Sequence, residues 1–151
     1  LTCGSLVVPC VLGRSGRLVL KREGDGGTPV GFWLLRRIYY RGDRLIRPLS
    51  KIPASPIKGG WGWCETLGDG NYNRRVDLPY PAAHEDLKRP DHLYDIVVET
   101  SHNQRPRIQG RGSAIFFHLA RENFAPTAGC IAVTLKDMQK VLRHCSAKPA
   151  W

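Results

Sequence analysis

Two side chains in "FFHLARENFAPTAGCIAV", residues 116 to 133, could do covalent chemistry together: His118 and Cys130. A cysteine attacks as its thiolate, and a neighbouring imidazolium can lower its pKa from about 8.5 into the range of roughly 3.5 to 7.5. The pairing therefore predicts an imidazolium–thiolate ion pair. Pro126, Thr127 and Gly129 shape a loop that can return the thiol to the imidazole. Gly129 has no Cβ, so the backbone there can approach a substrate and aim N–H groups at a developing oxyanion. The Thr127 hydroxyl can brace the same turn. Nucleophile, base and oxyanion donors are what acyl transfer needs. A lone His and a lone Cys flanking a loop also occur where the thiol is simply buried, and these residues alone leave both readings open.

The elements that must position this pair are mostly strands. "SAIFFH", residues 113 to 118, is an apolar run that ends on His118, and "LYDIVVET", residues 93 to 100, precedes it as a second strand. Residues 6–8, 17–20, 30–35 and 38–40 read as earlier strands, rich in β-branched and aromatic types and punctuated by the turn-forming "EGDGGTP" at 23 to 29. Thr134 and Asp137 form a capping-box-like pair ahead of Leu135, Met138, Val141, Leu142 and Cys145, which repeat on one helical face. Residues from about 41 to 92 are rich in Pro, Gly, Asn and Asp, yet carry Trp61, Trp63, Tyr72 and Tyr80. That much aromatic surface predicts a folded flap rather than a disordered insertion. The expected fold is mainly β, a β-rich α+β domain spanning residues 1–151, with a sheet, a long irregular flap and one C-terminal helix.

The 151 residues suit one compact domain, and 42% hydrophobic with 24% charged residues is a globular composition. Lys and Arg number 23 against 13 Asp and Glu, a net charge of +10 that favours polyanionic partners. The densest basic run, Arg36, Arg37, Arg41, Arg44, Arg47, Lys51 and Lys58, holds Tyr39 and Tyr40 and is compatible with a nucleic-acid surface as well as with a plain solvated face. The longest apolar run, Leu6 to Leu12, is far shorter than the roughly 20 residues needed to cross a bilayer. Cys3, Cys10, Cys64, Cys130 and Cys145 show no metal-binding spacing, and no two histidines stand at i, i+4, so no metal is expected. Cys3 and Cys10 are close enough for a local disulfide, or both are free thiols. Cys64 reads as packing.

"GSAIFFHLARENFAPTAGCIAV" resembles the active-site region of the YkuD-type L,D-transpeptidases, in which a strand-borne His precedes an S/T-x-G-C loop. "KREGDGGTPVGFWLL", residues 21 to 35, is similar to the family's early G-x-TP-x-G-x-F stretch. "GWCETLGDGNYNRRVDLPYPAAHEDL", residues 62 to 87, and "DHLYDIVV" resemble a proteobacterial branch whose flap carries GWC and YN. Ala128 and Ala132 stand where the commoner pattern has His and Arg, which implies the same chemistry with different substrate recognition.

The resemblance implies a peptidoglycan L,D-transpeptidase with no cofactor. Cys130 would attack the carbonyl of an L-centre in a donor stem peptide, diaminopimelate or, in a 1,3-type variant, L-alanine. His118 would manage the protons, and amides at Gly129 and Cys130 would hold the oxyanion. The thioacyl group then passes to an acceptor amine, or to water in an L,D-carboxypeptidase or ordinary cysteine peptidase. Trp63, Tyr72, Asn73, His92 and Asn103 are candidates to line the cleft. Partners would be donor and acceptor stem peptides, carbapenems would acylate the thiol, and nucleic acid is not expected. The substrate places the protein in the periplasm, with a leader preceding Leu1.

Overall fold

The computed structural model describes residues 1–145 and contains twelve strands followed by one helix. In chain order the strands are β1 (Thr2–Cys3), β2 (Leu6–Val7), β3 (Arg17–Leu18), β4 (Thr28–Pro29), β5 (Leu35–Tyr40) and β6 (Ala54–Pro56). They continue with β7 (Trp61–Cys64), β8 (Arg75–Asp77), β9 (His84–Asp86), β10 (Ile96–Thr100), β11 (Phe116–Leu119) and β12 (Ile131–Val133), and the helix α1 spans Leu135–His144. The central sheet has the order β12-β11-β10-β5-β6, antiparallel in its middle and parallel at both edges.

Alternation along these strands divides the core in two, because successive side chains leave a strand on opposite faces. Ile38, Ile96, Val98, Phe117, Leu119, Ile131 and Val133 face one side, where Met138, Val141 and Leu142 of α1 cover them together with Val8. Tyr39, Val97 and Phe116 face the other, where Trp63 and Leu87 of the flap cover them with Tyr94. Both α1 and the flap are thus attached by burying an apolar face that neither could bury alone.

α1 begins where the capping pattern places it. Thr134 is the N-cap, its Oγ1 accepting the Asp137 N–H at 3.1 Å, and Asp137 adds a negative charge to the first turn. Leu135, expected on the buried face, is exposed, and Cys145 caps the helix instead of extending it. Cys145 forms a disulfide with Cys3, while Cys10 remains a free thiol. The local Cys3–Cys10 bridge therefore does not form: hairpin β1–β2 lays Cys3 against the end of α1, Cα–Cα 6.6 Å from Cys145.

The flap is more regular than its composition suggests. β6 extends the central sheet, and β8-β7-β9 form a separate three-stranded antiparallel sheet. Conversely, residues 30–34 are not a strand. Gly31 has φ of +153° and the Trp33 indole folds back to donate to Pro29 O at 3.3 Å, so pairing starts only at Leu35. Residues 113–115 are also outside β11, because Ala114 takes φ of +50°. Several arginines of the basic run are engaged internally: Arg36 with Glu99, Arg41 with Asp43 and Arg44 with Asp95. No helix among the described residues is long and apolar enough to cross a membrane.

Candidate active site

Parallel pairing of β11 with β12 sets His118 beside Ala132, so Cys130, two residues earlier, lies on the same sheet face one diagonal step away. His118 and Cys130 both line a cavity of about 550 Å³ between the catalytic face of the sheet and the flap. Thr127, Ala128 and Ala132 line it too. The small side chains at 128 and 132 leave space that larger ones would fill.

The nucleophile loop is held by two threonines. Thr127 Oγ1 donates to Cys130 O at 2.7 Å and accepts the Gly129 N–H at 3.1 Å. Thr28 Oγ1, from the "GDGGTP" stretch, accepts the Gly13 N–H at 2.8 Å and donates to Gly129 O at 2.9 Å. Gly129 has φ of +143°, and a Cβ there would sit 2.9 Å from Gly27 O, so both conformation and contact require glycine. The Cys130 amide donates to no described residue, whereas the Gly129 amide is engaged by Thr127.

The thiol is directed by backbone. Cys130 Sγ donates to Ala114 O at 3.1 Å and accepts the Phe116 N–H at 3.3 Å. His118 Nδ1 contacts Leu119 O at 2.8 Å. A carbonyl only accepts, so Nδ1 carries the hydrogen and the lone pair of the neutral ring is on Nε2. Tyr94 packs edge-on against His118 with ring centroids 5.3 Å apart.

Electrostatics correct the ion-pair expectation. Burial, reinforced by the Glu85 and Glu65 carboxylates, pushes the Cys130 thiol up to about 12. Burial also pushes His118 down to about 4, with the Arg89 and Arg121 cations acting in the same direction. The resting pair is a neutral thiol and a neutral imidazole. The carboxylates belong to the flap: Glu85 on β9 is opposite Trp63, and Glu65 follows β7 on the same face. Glu65 is pushed up to about 7 by burial and then by Glu85 and Glu23. The Tyr94 hydroxyl donates to Glu85 at 2.5 Å, which helps keep that carboxylate in place.

None of the five residues expected in the cleft lines the cavity. Three stand one layer behind it. Trp63 is buried against Phe116, its indole donating to Asn73 Oδ1 at 2.9 Å. Asn73 Oδ1 also accepts the Ala114 N–H at 3.1 Å, and the Tyr72 hydroxyl donates to Glu23, a residue of the cavity wall. His92 is solvent-exposed and paired with Asp95 at 2.7 Å, and Asn103 closes the loop to Gly112 through its own side chain. Cys64 is fully buried, as its reading as packing requires. The polar wall residues Glu65, Glu85, Arg89 and Lys21 carry no periodic signal in the sequence.

The family model described as YkuD, L,D-transpeptidase catalytic domain, matches residues 5–149. No curated protein and no solved structure matches the chain.

Proposed function

Starting from the fact that the chain belongs to the YkuD family of L,D-transpeptidase catalytic domains, we propose that it is a cysteine acyltransferase that cross-links peptidoglycan stem peptides, with Cys130 as nucleophile. Family membership makes it an L,D-transpeptidase-type cysteine enzyme domain, one of a family acting on peptidoglycan stem peptides. The observation that supports the assignment to Cys130 is that Cys130 and His118 line one cavity while the Cys130 amide has no partner among the described residues.

Because thiol and imidazole are both neutral at rest, the proton must move as the bond forms. His118 Nε2 takes the Sγ hydrogen while sulfur attacks the donor carbonyl, and the resulting imidazolium gives the proton to the departing D-amino acid amine. The Cys130 N–H holds the oxyanion. A thioester remains on Cys130, with diaminopimelate or L-alanine as the donor centre. The amine of an acceptor stem then displaces sulfur. Thr127 and Gly129 act by fixing the loop. Trp63, Tyr72 and Asn73 support the wall from behind, and His92 and Asn103 lie apart from it. A periplasmic location suits this substrate, and the Cys3–Cys145 disulfide suits an oxidising compartment.

The test is incubation with purified muropeptides and product analysis by mass spectrometry. Cross-linked dimers that vanish in Cys130→Ala and His118→Ala are the expected result. Trimmed monomers alone would make the protein a carboxypeptidase using the same thioester. Dimers persisting in Cys130→Ala would end the assignment.

A further inference from the structure

The cavity that contains Cys130 is also lined by two carboxyl groups that acylation of Cys130 does not use. Glu85 on β9 and Glu65 just after β7 project from one face of the flap sheet on neighbouring chain segments, and both line the cavity that contains Cys130. Glu85 is tied to the Tyr94 hydroxyl and, at 3.4 Å, to Arg89. Glu65 forms no ion pair among the described residues, and Glu85, Glu23, His84 and the Cys130 and Cys64 thiols are titratable groups near it. Ser113, in the segment before β11, also lines this cavity, and its side chain, 6% exposed, leaves its hydroxyl without a partner among the described residues. A buried hydroxyl with nothing to bind is costly, and an unpaired one in a cavity wall points to a polar ligand group.

We propose that Glu65 and Glu85 form the seat of the acceptor amine, Glu65 receiving the proton that this amine must lose before it can attack. This rests on the reading of Cys130 as an acyl carrier. An aliphatic amine reaches the site at neutral pH as an ammonium ion, with no lone pair for attack. His118 is occupied in this half-reaction with the proton that returns to sulfur, so the ammonium proton needs a different acceptor. With Glu65 ionised the two carboxylates attract a cation, and burial, which raises the affinity of Glu65 for a proton, makes it a stronger base than an ordinary carboxylate.

The step balances. The ammonium gives one proton to Glu65, and the freed nitrogen pair forms the C–N bond to the thioester carbon. The C–S bond breaks with its electron pair on Sγ, the second nitrogen proton passes through His118 to sulfur, and Glu65 releases its proton to water.

Two measurements on the whole protein test this. Binding of a muropeptide tripeptide with a free side-chain amine, and of the same peptide with that amine acetylated, is followed by NMR titration for the wild type, Glu65→Gln and Glu85→Gln. The expected result is a Kd at least tenfold weaker for either variant and for the acetylated peptide. Equal Kd values for the two peptides, or for variants and wild type, would overturn the proposal. Intact-mass detection of a Cys130 thioacyl adduct is read separately. Amine-dependent binding without any adduct would refute the Cys130 reading and leave the amine seat standing, and an adduct with indifferent binding would do the reverse. Folding of each variant is checked by its amide spectrum, and Glu65→Asp, which keeps the carboxylate, is expected to recover most of the binding.

Discussion

Asn73 Oδ1 receives the Ala114 amide at 3.1 Å, and Ala114 in turn offers its carbonyl to the Cys130 thiol at 3.1 Å. One amide side chain of the flap therefore governs how the thiol hydrogen is held, although Asn73 never reaches the cavity. The same oxygen accepts the buried Trp63 indole. Asn73→Ala leaves two buried donors without an acceptor, each at a cost of about 1–3 kcal/mol. Urea unfolding should show a loss of about 2 kcal/mol or more, accompanied by slower acylation of Cys130 by a carbapenem. An unchanged unfolding midpoint would remove this network from any role in stability.

Thr127 makes a more local prediction. Its hydroxyl both donates to Cys130 O and accepts the Gly129 amide. Thr127→Val keeps the volume and loses both bonds, about 1–3 kcal/mol in total. If the loss falls on loop geometry in the transition state, acylation slows by about 5- to 150-fold. Thr127→Ser retains the hydroxyl and should stay within about threefold of wild type. Equal rates for Val and Ser would mean that the loop is held without this side chain.

How much of this was legible in the sequence differs by element. The helix start at Thr134, a strand carrying His118 and the turn around Gly129 are encoded by neighbours within a few residues, where capping, alternation and glycine stereochemistry act, although that strand runs Phe116–Leu119 and so continues one residue past His118. Thr28 holding the carbonyl of Gly129 was not legible as such, because it depends on which distant segments meet. The flap illustrates the limit best. Its aromatics announced order, but Trp63 and Glu65 share one face of the flap, and that Glu65 reaches the cavity while Trp63 packs on Phe116 depends on how the flap docks on the sheet, which the local pattern does not specify. The expected thiolate failed for a related reason: spacing shows that two groups can meet, while burial and the flap carboxylates set their charge.

The Cys3–Cys145 bridge joins the first hairpin to the end of α1 across a sequence separation of 142. In the chain-entropy account, a loop of that length corresponds to about 5 kcal/mol of stability relative to the open chain. Cys3→Ser should therefore lower the thermal midpoint substantially and abolish the sensitivity of that midpoint to reductant. Cys10→Ser should leave both nearly unchanged. A strong effect of Cys10→Ser with none of Cys3→Ser would show the bridge to be elsewhere.

Two groups of the cavity make opposite contributions to the pH dependence of stability. His118 sits near 4 in the fold against about 6.5 in the unfolded chain, so the unfolded state binds more protons between those values. Its contribution is full above about 6.5 and is lost as pH falls toward 4, about 3 kcal/mol in all. Glu65 sits near 7 against about 4.5, so its contribution is full below about 4.5 and is lost as pH rises through 7, about 3 kcal/mol at most. Between about 4.5 and 6.5 the two slopes oppose and nearly cancel. Urea unfolding from pH 4 to 8 should show wild type losing stability relative to Glu65→Gln as pH rises, and gaining it relative to His118→Gln over the lower half of that range. Two flat difference curves would mean that neither group is desolvated by the fold, and the neutral resting pair would have to be abandoned.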